Sequence, residues 1–454
     1  LFYSKFGFIN KGKNMAKENI NYKGNVIAKN SLLSLIYKGV SMGLSLISAP
    51  LLLEVLGNYK YGIYSSALSI VSWIYYFDLG IGNGLRFKLT GYLAKKEDEA
   101  AKKTVTVAYV LVSIIMLLAV IVVIFFLQFF DVGIFFKIKS SDENINNILI
   151  ISFILAAVNF VLALVNNILL ASQESSKVNF FSLFGQLFFI IGLLIYRKYG
   201  VSLILLVTFA EGFSQFIKNI IETIYVFNKY PELKPKKSNV DFYYSKGIMS
   251  FGIKMFILQI SALILNSTDN LLILKYFGAD AVTPYSFVYK YFGMINNVFV
   301  ILIGPVMSAY TMAYAKNDYK WIKNTFKKTM LLFGMIVCGT LVASFIFRPF
   351  AHIWLQRDLH FNTSLIVLTM IYYLMLMFSH NFSTFINGIG VVNETTLAVV
   401  LQAILNIPCS IFFAKKCGMG VNGIIMGSIA CMVIVNVVYP YITLREFRKM
   451  KNKR

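Results

Sequence analysis

Charged side chains are scarce in this chain of 454 residues: they make up only 14% of it, whereas 58% of the residues are hydrophobic. The mean hydropathy is +0.69. Apolar runs long enough to cross about 30 Å of hydrocarbon recur along the whole length. Because lipid offers the backbone no hydrogen-bonding partner, such runs cross a membrane as helices. The composition therefore excludes an ordinary soluble protein and predicts an all-α integral membrane protein.

Cysteine and histidine are also rare, with four and three residues. No two cysteines form a CxxC pair, and no histidine stands at ligand spacing, so neither a disulfide framework nor a metal site is predicted. The glycine run GIGNG at 80–84 lacks the strand that a phosphate-binding motif requires. No nucleophile–base pair is evident, and we expect neither an enzyme nor a cofactor.

Acidic residues are outnumbered by basic ones, 20 to 43, which gives a net charge of +23. In a membrane protein an excess of Lys and Arg marks cytosolic loops that face anionic lipid. We therefore expect a lipid bilayer as the partner of these charges, and no nucleic acid.

Twelve transmembrane helices are predicted from the apolar runs, near residues 30–55, 60–83, 104–130, 147–172, 176–197, 200–228, 247–275, 281–309, 327–348, 362–390, 393–414 and 420–444. Most Lys and Arg residues then fall on one side of the membrane, including those of RFKLTGYLAKK and of the tail REFRKMKNKR. The positive-inside rule makes that side cytosolic, with both termini inside.

Two groups of six helices are predicted, separated by the longest cytosolic connection. The segments are a cytosolic amino-terminal stretch 1–29, a first lobe 30–228, the connection 229–246, a second lobe 247–444 and a basic tail 445–454. LGNYKYGIY (56–64) and FGADAVTPY (277–285) follow the first helix of each lobe, with matching Gly and Tyr 221 residues apart. This pattern predicts a parallel repeat, with a substrate path between the lobes.

A resemblance to a known family lies in residues 49–110. The segment LG-x3-YG at 56–62 and the segment DLGIGNGLR at 78–86, followed by an alanine- and lysine-rich loop, resemble the amino-terminal signature of bacterial polysaccharide flippases. These belong to the polysaccharide transporter family of the multidrug/oligosaccharidyl-lipid/polysaccharide exporter superfamily. The glycines of the second segment also predict a break or a tight packing point at the end of the second helix.

The resemblance implies a function. It implies a transporter that moves undecaprenyl-pyrophosphate-linked oligosaccharide units from the cytosolic to the outer leaflet of the bacterial inner membrane. A polysaccharide polymerase and chain-length machinery would be its protein partners. The product would be O-antigen, capsule or another surface glycan, and the signature does not name the sugar.

Polar residues recur at helical spacing on the first, second, seventh and eighth predicted helices, which are the first two of each lobe. In each helix they share one face, and they predict the lining of a central cavity. The predicted lining residues are Ser34, Ser41 and Ser45, then Ser69 and Ser72, then Gln259 and Asn266, and Asn297.

Four cations are candidates for binding the substrate phosphates. An ionised group in hydrocarbon costs at least about 2.5–3.5 kcal/mol, so Lys290, deep in the eighth helix, is predicted to face the cavity. Lys38 and Lys254 lie nearer the cytosolic end, where a long side chain also reaches the headgroups. Each therefore either lines the cavity or extends to the membrane surface. Arg86 either binds the pyrophosphate at the cytosolic mouth of the cavity or only contributes to the excess of basic residues on the cytosolic side.

Acids within the predicted helices are candidates for coupling to protons or sodium ions. Glu211 and Glu222 share a face of the sixth helix with Lys218, which stands at ion-pair spacing from Glu222. That stripe is either self-neutralising or part of an ion relay. Asp78 and Asp269 are further candidates for the relay.

Three other functions compete with the flippase. A multidrug exporter of the same superfamily also has twelve helices, but it prefers cationic substrates and would favour buried acids over lysines. A lipid II flippase has two helices more. A membrane-bound polymerase would present a long outer loop with catalytic acids or arginines, whereas the largest outer loop here offers only Arg357 and Asp358 beside two histidines.

Overall fold

The computed structural model describes residues 3–76, 80–136, 144–172, 174–315, 317–357, 359–391 and 393–452. Within these ranges, side chains are described from residue 33 onwards, except at 75–76, 94, 247, 250–264, 266, 305, 308, 311–312, 315, 393 and 451–452. The described residues form helices and connecting turns, and no β-strand.

The α-helices are α1 (Tyr3–Val71), α2 (Ile81–Lys95), α3 (Asp98–Phe129), α4 (Val132–Phe135), α5 (Ile145–Leu162), α6 (Val165–Ala171), α7 (Ser175–Tyr199), α8 (Ile204–Lys229), α9 (Tyr243–Phe277), α10 (Ala279–Ala315), α11 (Tyr319–Leu355), α12 (Thr363–Gly388), α13 (Asn393–Ile411) and α14 (Val421–Asn452). A π-helical turn, Phe412–Lys416, continues α13.

Ten helical segments among the described residues are long and apolar enough to cross a membrane. One of them, Leu33–Ile74, has 42 residues and contains a break in the helix. A single crossing needs only about 20 residues, so this segment is long enough for two. The 35-residue helix α9 is not among the ten, because side chains in it lie outside the described set. The predicted all-α membrane fold is confirmed, and a count of twelve is consistent with these segments.

The break in α1 falls at Gly57, which has φ 72° and ψ 172°. Glycine adopts this combination readily, whereas residues with a side chain do not. Gly278, between α9 and α10, has nearly the same conformation, with φ 87° and ψ 171°. These are the two glycines that the sequence repeat aligns. Each lets a first helix turn back sharply into a second. We call this the Gly57 end of the bundle, and the other the opposite end.

The two lobes meet along a polar seam beside these turns. The hydroxyl oxygens of Ser65 and Ser286, which the repeat also pairs, lie 3.1 Å apart. Asn270 of α9 donates its amide to the hydroxyls of Ser65 and Ser69 at 3.3 and 3.2 Å. Equivalent residues in contact place the axis of the repeat between α1 and α10.

At the Gly57 end the lobes approach as closely as backbones allow. A Cβ atom on Gly62 would lie 2.0 Å from the carbonyl oxygen of Ala279. Asn58 donates its side-chain amide to Asp280 at 2.9 Å, and Thr283 donates its hydroxyl to the Asn58 carbonyl at 2.7 Å. These contacts close the gap between the lobes at this end.

The segment RFKLTGYLAKK lies largely in a helix, although it was predicted as a loop. A 3-10 turn (Ser72–Tyr76) follows α1, and α2 starts after Gly80, which is left-handed with φ 74°. A Cβ on Gly84 would lie 2.3 Å from the Ile248 carbonyl of α9. The glycine cluster therefore provides both a break and a close packing point. The basic residues of this segment favour a solvated loop, but Leu89 between them packs into the core and gives the helix a buried face.

The connection between the lobes also contacts the first lobe at the opposite end. Lys103 of α3 lies 3.2 Å from Asp241, and its ammonium group is 5.9 Å from the Tyr244 ring centroid. The hydrogen bond from Lys103 holds the pKa of the Asp241 carboxyl below its usual value. On the α2/α9 side the lobes are thus joined near the opposite end of the bundle, by this ion pair and by the contact of Gly84 with Ile248.

Candidate functional site

A cavity of about 510 Å³ lies between the two lobes. Its walls are the two parts of α1, α7, the last turns of α9, α10 and α12. The residues that line it are mostly polar or aromatic, and they are Ser41, Met42, Ser45, Tyr61, Ser65, Gln186, Asp269, Asn270, Tyr285, Ser286, Tyr289, Lys290, Gly293, Met294, Asn297 and Tyr373. Such a wall suits a hydroxyl-rich ligand better than an apolar one.

Lys290 is the cation of this wall. Among the residues that the structure describes, it forms no hydrogen bond and no ion pair within 4.0 Å. Its electrostatic neighbour is Glu211, which lies beyond ion-pair distance and accepts a hydrogen bond from Tyr64. A desolvated ammonium group without a close partner is costly, so this position favours an anion in the cavity. Gly293 and Asn297 follow Lys290 at i+3 and i+7, which places all three on one face of α10.

Asp269 brings a carboxylate into the same wall, but its oxygens are already occupied. The Tyr285 hydroxyl donates to Asp269 at 2.6 Å, and the Ser428 hydroxyl lies 3.4 and 3.5 Å from its two oxygens. Only 6% of the residue is exposed. Asp269 therefore holds α9, α10 and α14 together and presents little free charge to the cavity.

A group of tyrosines on α10 and α12 forms the aromatic part of the wall. The Tyr289 ring stacks on Tyr285 with centroids 5.8 Å apart, and it lies 5.0 Å from Tyr373 and 5.9 Å from Tyr372. Aromatic rings with attached hydroxyls offer an apolar face and a hydrogen bond together. This combination suits a pyranose ring.

A second cavity of about 240 Å³ lies within the first lobe, between α1, α5 and α8. Glu211 and Ser72 both line it. The Tyr64 hydroxyl donates to Glu211 at 2.6 Å. Tyr64 and Tyr285 are equivalent in the repeat, so each lobe pairs the same tyrosine with a carboxylate, although the acids come from different helices.

The structure separates the residues that sequence analysis grouped. Ser41, Ser45, Asn297, Lys290 and Asp269 line the main cavity. Ser34 does not, because its hydroxyl faces α7 and lies 3.2 Å from that of Ser175. Ser69 lies in the seam between the lobes, where its hydroxyl donates to the Ser65 carbonyl. Lys38 and Arg86 are exposed and line neither cavity.

Four of the predicted site residues lie outside what is described. The structure does not describe Asp78, and it describes only the backbone of Lys254, Gln259 and Asn266 within α9. Their roles stay predictions.

Several cavity residues were missed in the sequence. Gln186 of α7 donates its amide to Ser41 at 2.6 Å, and it is the one amide or charged side chain between Phe180 and Tyr196, a signal that would have found it. Asn270 could have been found from its position, directly after the predicted site residue Asp269. Tyr61 and Tyr373 carry no such signal, because aromatic residues are frequent throughout the chain.

Glu222 and Lys218 form a buried ion pair of 3.0 Å, with 0% and 8% of their side chains exposed. Lys218→Met is expected to destabilise the protein by about 3–5 kcal/mol, because it leaves the Glu222 charge buried and unpaired. The measurement is thermal unfolding in detergent. The double variant Lys218→Met with Glu222→Gln removes both charges and should recover most of the loss. Equal stability of the single variant and the unaltered protein would contradict a structural pair.

The architecture matches transporters that have been solved. A multidrug resistance MATE family transporter of the MOP superfamily, in an inward-facing conformation, superimposes with a TM-score of 0.72 at 13% identity, covering 93% of this chain and 99% of that one. The lipid II flippase MurJ in an inward closed conformation superimposes with a TM-score of 0.70 at 16% identity, covering 92% and 90%. The chain thus shares the fold of these two transporters.

The family follows from the sequence. Residues 27–311 match the model of the family described as "Polysaccharide biosynthesis protein", and the chain belongs to that family. A protein of Salmonella typhimurium named "Putative O-antigen transporter" is 21% identical over 422 residues, which are 89% of this chain and 92% of that protein. The resemblance found in residues 49–110 is confirmed. The prediction of a membrane transporter rather than an enzyme is confirmed by the same relatives.

Proposed function

We propose that this protein flips undecaprenyl-pyrophosphate-linked oligosaccharide repeat units from the cytosolic to the outer leaflet of a bacterial inner membrane, for the synthesis of a surface polysaccharide. The observation that carries the proposal is Lys290, a cation with no hydrogen bond and no ion pair within 4.0 Å among the described residues, in a polar cavity between the lobes. The family and the Salmonella relative support the same substrate class.

The chemistry of the substrate requires such a site. Its pyrophosphate carries negative charge and its sugars carry hydroxyls, and hydrocarbon solvates neither. Lys290 would neutralise a phosphate, and Ser41, Ser45 and Asn297 would replace water around the sugars. Tyr289 and its neighbours would stack on a pyranose face. The lipid tail stays in the bilayer throughout.

Movement of the lobes would expose the cavity to each side in turn. In the present arrangement the lobes are closed at the Gly57 end, where Gly62 packs on the Ala279 backbone. The positive-inside rule places this end outside the cell and both termini in the cytosol. Opening of this end would release the sugar outward. Coupling to protons or sodium ions would involve Glu211 or Asp269, which line the two cavities, or Asp78.

A drug exporter is the second candidate, and the cavity disfavours it. Organic cations favour a free carboxylate at the binding site, whereas Asp269 in the main cavity is bound by Tyr285 and Ser428 and Glu211 in the second cavity is bound by Tyr64. The charge that the main cavity wall presents without a close ion pair is that of Lys290, which would repel a cation.

Deletion of the gene in its host tests the proposal. We expect surface polysaccharide to be lost and complete lipid-linked repeat units to accumulate on the cytosolic leaflet, measured by mass spectrometry of lipid extracts and by lectin or enzyme access in spheroplasts. Re-expression of the unaltered chain is the control. Single units that accumulate on the outer leaflet would indicate a polymerase instead. Unchanged glycan with altered drug sensitivity would indicate a drug exporter.

A further inference from the structure

A groove of about 360 Å³ lies outside the central cavity, at the opposite end of the second lobe. One wall is the start of α11, with Lys320, Lys323 and Asn324. The other wall is the end of α14, with Leu444, Phe447 and Arg448. Three cations and an apolar surface thus face one space.

The cations of the groove differ from their neighbours on α14. Arg445 is paired with Glu394 at 2.8 Å and with Glu446 at 2.9 Å, and Lys449 is paired with Glu446 at 2.7 Å. In the part of the chain that the structure describes, Lys320, Lys323 and Arg448 have no ion pair and no hydrogen bond. Glu394 and Glu446 are thus engaged away from the groove and Asp318 accepts from the Trp321 amide at 3.0 Å, so the three cations of the groove are left without an ion pair.

The apolar side of the groove is held in place from behind. The Phe447 ring lies 5.4 Å from Phe326 and 4.9 Å from Phe385. Leu444, by contrast, is 59% exposed. An ordered apolar surface next to exposed cations suits a molecule that has an anionic head and a hydrocarbon tail.

The position of the groove along the helices points to the membrane surface. Both helices include membrane-crossing segments, Tyr319–Leu355 and Val421–Met450. Free cations are excluded from the hydrocarbon, so the first turns of α11 and the last turns of α14 lie at the level of the headgroups. Basic pockets between transmembrane helices on the cytosolic side bind anionic lipid headgroups in other proteins.

We propose that this groove binds an anionic phospholipid, with its phosphate on Lys320, Lys323 and Arg448 and an acyl chain along Leu444 and Phe447. The lipid is a resident of the bilayer and not the transported substrate. The proposal does not depend on the transport function, because the groove and the central cavity share no residue.

Native mass spectrometry of the purified full chain tests the proposal, with phosphatidylglycerol or phosphatidylcholine of the same acyl chains titrated into delipidated protein. A basic residue near the surface contributes about 1 kcal/mol, so the first phosphatidylglycerol should bind at least about tenfold more tightly than the first phosphatidylcholine. Lys320→Gln, Lys323→Gln and Arg448→Gln together should bring this ratio close to one. Arg448→Gln alone should lower it about fivefold.

Two sets of variants control for charge and folding. Lys234→Gln, Lys236→Gln and Lys237→Gln remove three exposed cations from the connection between the lobes and should keep the full preference. Lys320→Arg, Lys323→Arg and Arg448→Lys preserve the charge of the groove and should keep it too. Retained preference in the triple Gln variant would overturn the proposal.

Two further outcomes would reassign the groove. Inorganic phosphate that displaces the lipid at equal concentration would indicate a site for a free anion. The absence of any preference in the unaltered protein would also overturn the proposal and would leave an acidic polypeptide as the candidate occupant.

Discussion

Replacing Lys290 by alanine is expected to lower export of the lipid-linked repeat unit by about 30-fold or more, with the protein still present in the membrane. The reason is that Lys290 is the cation of the cavity wall and has no ion pair within 4.0 Å among the described residues, so its loss leaves the substrate phosphate without a counter-charge in a poorly solvated space. The measurement is surface polysaccharide in a deletion strain that carries the variant, normalised to the amount of protein in the membrane fraction.

Two variants make this result specific. Lys290→Arg keeps the charge and should retain most of the export. Lys275→Ala removes a lysine outside the cavity, whose ammonium group lies 3.8 Å from the Phe135 ring centroid, and should export normally. Normal export by Lys290→Ala would remove this lysine from the mechanism. An equal loss in Lys275→Ala would mean that lysine replacement damages the fold in general.

A disulfide between positions 65 and 286 is expected to stop transport almost completely and to release it again on reduction. The hydroxyl oxygens of Ser65 and Ser286 lie 3.1 Å apart across the seam between the lobes, so cysteines there come within reach of a bond after a small adjustment. If the lobes separate at this seam during the cycle, a covalent link blocks the step. The background should lack the four native cysteines, Cys338, Cys409, Cys417 and Cys431.

A matched cross-link within one lobe is available. Ser34 and Ser175 have the same chemistry, with hydroxyl oxygens 3.2 Å apart, but both belong to the first lobe. Ser34→Cys with Ser175→Cys should cross-link and still transport. Full transport by the oxidised 65–286 pair would mean that the lobes pivot about the seam instead of separating there. The single cysteine variants control for loss of each serine.

Helix spacing determined which face of a helix is polar, but it did not determine what that face meets. Ser34, Ser41 and Ser45 share a face of α1, yet Ser34 lies against α7 whereas the other two line the cavity. Along its length α1 packs first against one neighbour and then against another. Residues on the same face of α1 therefore have different environments. Gln186 enters the same cavity from a helix whose sequence is mostly apolar, because α7 packs against α1 there.

Local sequence alone determined the membrane class, the approximate spans, the pairing of Gly57 with Gly278 and the choice of Lys290. Each follows from chemistry that acts within a few residues: hydropathy, backbone freedom at glycine, and the cost of a charge in hydrocarbon. Only the tertiary structure decided that Asp269 is bound by Tyr285 and Ser428, and that the Ser65 hydroxyl meets its counterpart Ser286. Those contacts join residues far apart in the chain, and the packing of the helices brings them together.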